Sequence, residues 1–153
     1  PLDLAQMLGD VVQQYQRQHN QVSLTSTEPM ILMLKPQAMR RMLTNLIDNA
    51  LRYGGGVALV SLEQSLTFAR VKITDQGPGI AEAEQEEVFK PFTRLEPSRN
   101  TTTGGAGLGL SIARAIAQSH GGDITLENRR GDDGAILGLE VTVRLPRAVQ
   151  ALT

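Results

Sequence analysis

The feature of this sequence that most constrains its fold is an apolar repeat that runs from Pro36 to three consecutive glycines at positions 54–56. Apolar side chains recur three and four positions apart along it, which predicts a helix with one buried stripe. The residues of this stripe are Met39, Met42, Leu43, Leu46, Ile47, Ala50 and Leu51. Pro36 suits a first helical turn, because an N–H group has no partner there, and the glycines end the helix.

The polar side of this helix carries two carboxamides. Arg41, Asn45 and Asn49 lie four residues apart and share one strip beside the apolar stripe, and Asp48 and Arg52 flank it. Two carboxamides placed in this way can offer carbonyl oxygens to one hard cation or polar ligand. The alternative is an ordinary solvated helix face, which is the commoner arrangement for an amphipathic helix taken alone.

Shorter patterns predict the remaining elements. Two further helices are predicted at Asp3–Arg17, with Asp3 as N-cap, and at Leu110–Ser119, with a short acidic helical stretch at Ala81–Phe89. Strands are predicted around Val22 and Leu24, at residues 30–34, at Val57–Leu62 and Leu66–Thr74 as a hairpin, and at Ile124–Glu127 and Ile136–Leu145. We therefore expect a single domain, residues 1–153, built as a two-layer sandwich: one mixed sheet covered by three helices.

Asp75 follows the second hairpin strand and continues the face of Val71 and Ile73, because side chains alternate along a strand. A carboxylate aimed at the apolar side costs free energy unless it has a partner. The residues after it, Gln76-Gly-Pro-Gly-Ile80, form a turn that allows close approach of the backbone. Asp75 is thus either a ligand-binding carboxylate or a turn-capping residue.

A polar segment, Thr93–Ala106, contains nothing that resembles a core element, and a loop of this length is usually functional or disordered. It leads into Gly105, Gly107 and Gly109 at a predicted helix start, where bare N–H groups can face phosphates. Alone, this glycine pattern is weak evidence, and the chain has no P-loop sequence.

Composition excludes several kinds of site. The chain contains no cysteine, so disulfides, thiolate metal sites and cysteine nucleophiles are absent. The formal net charge of -1 gives no bulk electrostatic case for binding nucleic acid or an anionic membrane. His19 and His120 show no metal-ligand spacing, and we interpret both as helix-end residues rather than catalytic groups. No apolar run is long enough to span a bilayer, and the start at Pro1 suggests an excised or processed piece.

In their order along the chain, these segments resemble the catalytic ATP-binding domain of two-component sensor histidine kinases. The larger family includes gyrase, the ninety-kilodalton heat-shock chaperone and the mismatch-repair ATPase MutL. Asn45–Tyr53 resembles the N box of the family, Asp75–Ile80 the G1 box, Phe89–Phe92 the F box and Gly105–Leu110 the G2 box. The resemblance covers nearly the whole chain. It implies the Bergerat fold, an α+β fold in which a two-layer α/β sandwich has a mixed, mostly antiparallel five-stranded sheet covered by three helices.

The resemblance also implies two cofactors, ATP and Mg²⁺, and a role for each matching residue. Asp75 would accept the adenine amino group, and Asn49 would coordinate Mg²⁺ beside Asn45. Arg94 would approach the terminal phosphate, so Asn45, Asn49 and Arg94 are the predicted catalytic residues. The other predicted nucleotide-binding residues are Arg52, Tyr53, Gly77, Gly79, Ile80, Phe92, Gly105, Gly107, Leu108, Gly109 and Leu110. Thr93–Ala106 would form a lid that is mobile without nucleotide and partly ordered by it.

Asn45 stands where the hydrolases of the larger family carry a glutamate that activates water. A carboxamide cannot serve as a general base, so the resemblance implies a protein-histidine kinase. The alternatives are a non-catalytic nucleotide-binding module and an ATPase of the same family.

Neither His19 nor His120 lies in the His-Glu or His-Asp motif of a phosphate acceptor. The acceptor would therefore lie on a separate dimerisation and phosphotransfer domain of the same kinase, with a response regulator downstream. We expect the isolated chain to be a monomer that binds no nucleic acid. It would be the cytoplasmic domain of an inner-membrane sensor.

Overall fold

The computed structural model describes residues 1–25, 28–90 and 106–147, and within the last range it describes side chains from Gly109 onward. The regular elements in chain order are β1 (Leu2–Asp3), α1 (Leu4–Arg17), β2 (Gln21–Thr25), β3 (Ile31–Leu32), α2 (Pro36–Tyr53), β4 (Val57–Gln64), β5 (Phe68–Thr74), two 3₁₀ turns (Glu82–Glu84 and Glu87–Phe89), α3 (Ala106–Ser119), β6 (Asp123–Arg130) and β7 (Ile136–Pro146). The three long helices predicted from the apolar repeats are confirmed.

The predicted acidic helix consists of two separate 3₁₀ turns, so three helices is an undercount of the helical elements. The reason lies in its composition. Four glutamates crowd the segment, and Val88 is its one fully buried side chain. Like charges three and four residues apart repel, and a short segment without an apolar stripe gains little from packing as a helix.

The main sheet has five strands in the order β2-β4-β5-β7-β6. β2 pairs with β4 in parallel and the other pairs are antiparallel, which confirms the predicted mixed, mostly antiparallel sheet. Along the central pair, Val71 lies opposite Val143 and Ile73 opposite Val141, and all four side chains are buried. They belong to the same hydrophobic core as the apolar stripe of α2, so the two layers share one core.

The predicted strand at residues 30–34 is shorter than expected and lies outside this sheet. Only Ile31–Leu32 forms a strand, and it pairs with β1 in a separate two-stranded ribbon. Asp3 explains the pairing, because its Oδ1 accepts hydrogen bonds from the main-chain N–H of Ala5 and of Met30, each at 3.0 Å. The predicted N-cap is thus confirmed, and the same carboxylate holds the ribbon against the start of α1.

Two polar contacts hold α2 against its neighbours. The Tyr15 hydroxyl donates to Oδ1 of Asp48 at 2.6 Å, and burial, together with this bond, raises the pKa of Tyr15 well above its usual value. His120 lies just after α3, with Nδ1 2.9 Å from the carbonyl oxygen of Ile116 and Nε2 3.2 Å from the main-chain N of Lys35. A neutral ring that donates at Nδ1 and accepts at Nε2 satisfies both contacts.

His120 is therefore a helix-end residue, as predicted, and it also joins the end of α3 to the start of α2. His19 follows α1 with a φ of 65°, which confirms its prediction as a helix-end residue. Within the described ranges, no helix combines the length and the apolar character needed to cross a membrane.

Candidate functional site

The described part of the chain has one buried charged side chain, Asp75, which is 7% exposed. It follows the last residue of β5, and its Oδ1 accepts hydrogen bonds from the N–H of Gly77 at 3.0 Å and of Leu139 at 2.9 Å. The prediction that Asp75 points to the apolar side is confirmed. Its carboxylate also caps the turn through the bond from Gly77, which was one of the two roles that the sequence left open for it. Both of these bonds end on Oδ1, so Oδ2 retains its capacity to accept a hydrogen bond from a ligand.

Asp75 lies where three glycines allow main chains to approach closely. A Cβ added at Gly54 would collide with the side chain of Asp75, and one added at Gly138 with its main-chain oxygen. A Cβ at Gly77 would lie 2.5 Å from the main-chain oxygen of Tyr53. The end of α2, the turn after β5 and strand β7 therefore meet at a point that leaves no room for a side chain.

Sequence reasoning missed Gly138 and Arg129, and it assigned Gly54 only to a helix end. Arg129 donates from Nη1 to the main-chain oxygen of Asp75 at 2.8 Å, which satisfies the carbonyl group beside the carboxylate. Gly138 itself could have indicated its own contact with Asp75, because it interrupts the apolar pattern of a predicted strand. An isolated glycine in a strand often marks a close approach of another backbone. Nothing in the sequence around Arg129 indicated its partner.

The turn ends at Ile80, which is 5% exposed and is held from β6. The N–H of Ile80 donates to Oδ1 of Asn128 at 2.9 Å, and Nδ2 of Asn128 donates to the Ile80 carbonyl at 2.8 Å. Gly79 has a φ of 72°, a left-handed conformation that favours glycine. Ile80, a predicted site residue, is thus held by Asn128, which was not predicted.

The polar strip of α2 faces the start of α3. Asn45 and Asn49 are both half-buried, and a Cβ added at Gly109 would lie 3.2 Å from Nδ2 of Asn49. Leu110, the next residue, is 8% exposed and belongs to the core. Asp48 is turned away to Tyr15, as described above. The structure thus brings Asn49 and Gly109 together, although they are far apart in sequence.

Arg52 is exposed and Tyr53 half-buried, at the same end of α2 as Gly54. In the described ranges, no three histidine, cysteine, aspartate or glutamate side chains are grouped so as to hold a metal ion. The half-buried carboxamide of Asn49 on α2 offers one oxygen of the kind that Mg²⁺ binds together with oxygens of a ligand or of water.

Phe92, Arg94, Gly105 and nearly all of the predicted lid, Thr93–Ala106, lie outside the described residues. Gly107 and Leu108 belong to the first turn of α3, but the description of side chains begins at Gly109.

Arg114 on α3 holds the residues that lead toward this segment. Its guanidinium lies 4.4 Å from the centre of the Phe89 ring, 3.2 Å from Oε2 of Glu86 and 2.9 Å from Oδ1 of Asp123. The bond to Arg114 is the main cause that lowers the pKa of Asp123, and the same bond raises the pKa of Arg114. The first phenylalanine of the predicted F box is thus anchored to α3 and β6.

Comparison with known proteins identifies a family and several relatives that this chain resembles. Residues 34–149 match the family described as histidine kinase-, DNA gyrase B-, and HSP90-like ATPase. Over 113 residues the chain is 46% identical to the sensor histidine kinase GtrS of Pseudomonas aeruginosa, which covers 74% of this chain and 22% of GtrS. It is 34% identical over 152 residues to the sensor protein CutS of Streptomyces coelicolor, covering 95% of this chain and 36% of CutS.

The solved structure of the ATP-binding domain of PrrB from Mycobacterium tuberculosis has the same fold. It superposes with a TM-score of 0.74 at 28% sequence identity, and the match covers 95% of each chain. The predicted α+β sandwich is therefore confirmed by a structure of nearly equal extent. Against the full-length relatives GtrS and CutS, by contrast, the chain spans well under half of their length.

Proposed function

The chain belongs to the family of histidine kinase-, DNA gyrase B-, and HSP90-like ATPases, and from this membership we propose that it binds ATP with Mg²⁺ as the catalytic domain of a sensor histidine kinase. It would hold the nucleotide and present the terminal phosphate to a histidine on a separate dimerisation and phosphotransfer domain of the same kinase. A response regulator would then receive the phosphate. The likeness to GtrS, CutS and PrrB supports this assignment.

The observation that carries the proposal is the buried carboxylate of Asp75. Its Oδ1 is held by two main-chain N–H groups, and no ion pair with a cation is described for it. A buried carboxylate is costly unless its oxygens are bonded, so Oδ2 is well suited to accept a hydrogen bond from a ligand. The exocyclic amino group of adenine is such a donor. Guanine has a carbonyl oxygen at the same position, and two acceptors facing each other repel.

The phosphate end of the ligand fits the other side of the site. Asn49 can supply a carboxamide oxygen to Mg²⁺, with Asn45 one turn earlier on the same strip. Mg²⁺ would neutralise charge on the phosphates, which is its usual part in phosphoryl transfer. Gly109 keeps the start of α3 close to Asn49, so main-chain N–H groups of the first helical turn are available to the phosphates. The proposed set also contains the remaining predicted nucleotide-binding residues: Arg52, Tyr53, Gly77, Gly79, Ile80, Phe92, Arg94, Gly105, Gly107, Leu108 and Leu110.

Asn45 favours transfer to a protein group over hydrolysis. A general base for water must carry a basic lone pair, which a carboxamide lacks. The chain would therefore turn over ATP slowly without an acceptor, unlike an ATPase of the same family. A module that binds nucleotide without catalysis is the second candidate, and the presence of Asn49, Asp75 and the glycines of both boxes favours the kinase.

The relatives GtrS and CutS are named as sensor proteins. We propose in addition that the chain is the cytoplasmic domain of an inner-membrane sensor and that it is monomeric in isolation. The acceptor domain and the sensing domain would lie in the part of such a protein that this chain does not span.

Calorimetry with the purified chain tests the proposal. We expect Mg²⁺·ATP to bind with a dissociation constant between micromolar and millimolar, or roughly -4 to -8 kcal/mol. Asp75→Asn should weaken ATP binding by at least about tenfold, because an obligate acceptor becomes a group that also donates. The same substitution should also reduce the ratio of the GTP dissociation constant to the ATP dissociation constant.

Asp10→Asn is the matched control, since Asp10 is an exposed aspartate on α1. Its affinity for ATP should equal that of the unmodified chain. Unchanged ATP binding in Asp75→Asn, or no binding of ATP by the unmodified chain, would refute the proposed function. Phosphorylation of a histidine on an added dimerisation domain would then separate the kinase from the non-catalytic module.

A further inference from the structure

The carboxamide of Asn128 bonds both main-chain polar groups of one residue in the turn. Its Oδ1 accepts the Ile80 N–H at 2.9 Å, and its Nδ2 donates to the Ile80 carbonyl at 2.8 Å. Ile80 lies outside the sheet, so its main-chain groups have no strand to pair with, and buried main-chain groups need partners. The side chain of Asn128 acts in place of a neighbouring strand, because a carboxamide offers the same donor and acceptor as a peptide group.

The geometry around Gly79 fixes this contact in one position. A Cβ added at Gly79 would collide with Oδ1 of Asn128 and lie 2.9 Å from a methyl group of Ile136. The φ of Gly79, 72°, turns the chain so that Ile80 faces the carboxamide. Gln85 adds a third bond, from its Nε2 to the Ile80 carbonyl at 3.0 Å. The first 3₁₀ turn is thereby linked to the same main-chain group.

The segment from Asp75 to Ile80 is therefore held at both ends. At its start, the Asp75 carboxylate and main-chain N–H bond to the Leu139 main chain on β7. At its end, the holding group is the side chain of Asn128 on β6. The main-chain bond at the start persists whatever residue stands at position 75, and the second bond there needs the Asp75 carboxylate itself. At the end, two of the three side-chain bonds to Ile80 come from Asn128, so the position of the turn depends chiefly on residue 128.

We propose that Asn128 is a positioning residue for the base end of the nucleotide site: by holding Ile80 it fixes the turn that carries Asp75 and Gly77. The inference rests on the proposed function, because it names the residue that sets the geometry of that same site. Asn128 is not a catalytic residue in this account. It acts through Ile80, and its removal affects the base end and leaves the phosphate end intact.

Two substitutions separate the two bonds of the carboxamide. Asn128→Ala removes both, whereas Asn128→Asp keeps an acceptor for the Ile80 N–H but places a carboxylate oxygen against the Ile80 carbonyl. Hydrogen exchange at the Ile80 amide reads the contact directly and needs no nucleotide. We expect the amide to lose protection in Asn128→Ala by about tenfold and to keep part of it in Asn128→Asp.

Nucleotide affinity gives the second readout. Asn128→Ala should raise the dissociation constants of ATP, ADP and AMP by one common factor of about tenfold, because the phosphate contacts are unchanged. In a chain that already carries Asp75→Asn, adding Asn128→Ala should cost less than about twofold, since the group it positions has been replaced. Gln64→Ala is the control. Gln64 is an exposed carboxamide at the far end of β4 that bonds Glu28 and Arg147, and its loss should leave both readouts unchanged.

The outcomes distinguish the inference from the proposed function. If the unmodified chain binds ATP but Asn128→Ala binds it equally well, the inference fails and the function stands. Equal losses from Asn128→Ala with and without Asp75→Asn would show a general structural role and would also overturn the inference. If the unmodified chain binds no ATP, the proposed function fails and this role of Asn128 fails with it, whereas loss of Ile80 protection would still establish the contact itself.

Discussion

Asp75 follows the end of β5 and Asp123 begins β6, two strands of one sheet that are separated by β7, and the two aspartates are held in opposite ways. Asp75 is 7% exposed and is bonded through its carboxylate by two main-chain N–H groups. Asp123, the first residue of β6, has a side chain that is 45% exposed and is paired with the guanidinium of Arg114. The exposed carboxylate has a cation, whereas for the buried one the described residues provide none.

The difference separates a structural carboxylate from a ligand-binding one. An ion pair compensates the charge of Asp123 within the fold, so little is gained if a ligand approaches it. At Asp75 two neutral donors fix the side chain without cancelling its charge, and one oxygen keeps its acceptor capacity. Burial then strengthens any further hydrogen bond, because the local dielectric is low. Substitutions at the two places should therefore have different consequences.

The largest effect is expected from Gly138→Ala, which tests how closely the Asp75 turn is packed. The new Cβ would collide with the main-chain oxygen of Asp75, so β7 or the turn must move. We expect the free energy of unfolding in urea to fall by about 3 kcal/mol or more, at the upper end for overpacking. What folded protein remains should bind ATP weakly.

Gly9→Ala is the matched control for this substitution. Gly9 lies within α1, and an added Cβ there would have no heavy atom within 4 Å. Alanine in a helix interior is favoured over glycine by roughly 0.5–1 kcal/mol, so this variant should be more stable than the unmodified chain. If Gly138→Ala instead had the same free energy of unfolding as the unmodified chain, the turn at Asp75 would be able to relax. Close packing would then no longer distinguish Asp75 from Asp123.

The sequence predicted one side of this comparison well. The inward direction of Asp75 follows from the alternation of Val71 and Ile73 along one strand, and the helix that carries Asn45 and Asn49 follows from a single apolar stripe. Both are local patterns. The contacts of Gly138, Arg129 and Asn128 depend on β6 and β7 lying beside the turn, which is a matter of strand order. A single sequence does not state strand order, so these three residues could not be assigned to the site.

The same limit applies elsewhere in the fold. The strand predicted at residues 30–34 joined a separate ribbon because Asp3 bonds Met30, a contact between segments far apart in sequence. His120 was assigned to a helix end from the two glycines that follow it, and that assignment is confirmed. Its bond to the Lys35 N–H was not predictable, since it requires the end of α3 to lie against the start of α2.

The next largest effect on stability is expected from Tyr15→Phe. This substitution tests a third carboxylate, Asp48, which accepts the hydrogen bond of the Tyr15 hydroxyl. Asp48 accepts a bond from a neutral donor, as Asp75 does, but it is exposed and lies on the α1 side of α2. Loss of the Tyr15 hydroxyl should lower the free energy of unfolding by about 1 kcal/mol. ATP affinity should stay the same, because a neutral donor without burial does not make a ligand site.

The effect of pH identifies the hydroxyl as the cause. The pKa of Tyr15 is raised in the folded chain by burial and by Asp48. The hydroxyl therefore contributes its full stabilisation below the pKa of an unfolded tyrosine, about 10, and the contribution is lost as the pH rises above that value. Urea unfolding of the two proteins at neutral pH and above pH 10 should show the difference shrinking. A constant difference would attribute it to packing instead.

Asp123→Asn should have the smallest effect, and its pH dependence has the opposite sign. Arg114 lowers the pKa of Asp123 in the folded chain, so the carboxylate stabilises the fold above the pKa of an unfolded aspartate, about 4, and this stabilisation is lost as the pH falls below it. Because the Asp123 side chain is 45% exposed, solvent screening limits the effect to below about 1 kcal/mol. Urea unfolding of the Asp123→Asn variant and of the unmodified chain at pH 7 and at pH 3 measures the effect.

Nucleotide binding completes the contrast between the two aspartates. Asp123→Asn should change the dissociation constant for ATP by less than about twofold, as for most substitutions of exposed groups, while Asp75→Asn raises it at least about tenfold. If the two variants instead lost ATP affinity equally, the Arg114 pair would have to act on the site through Phe89 and Glu86, the other groups that Arg114 holds. The cation beside Asp123 would then serve to place the segment after Phe89, and the division between a structural and a ligand-binding carboxylate would no longer hold.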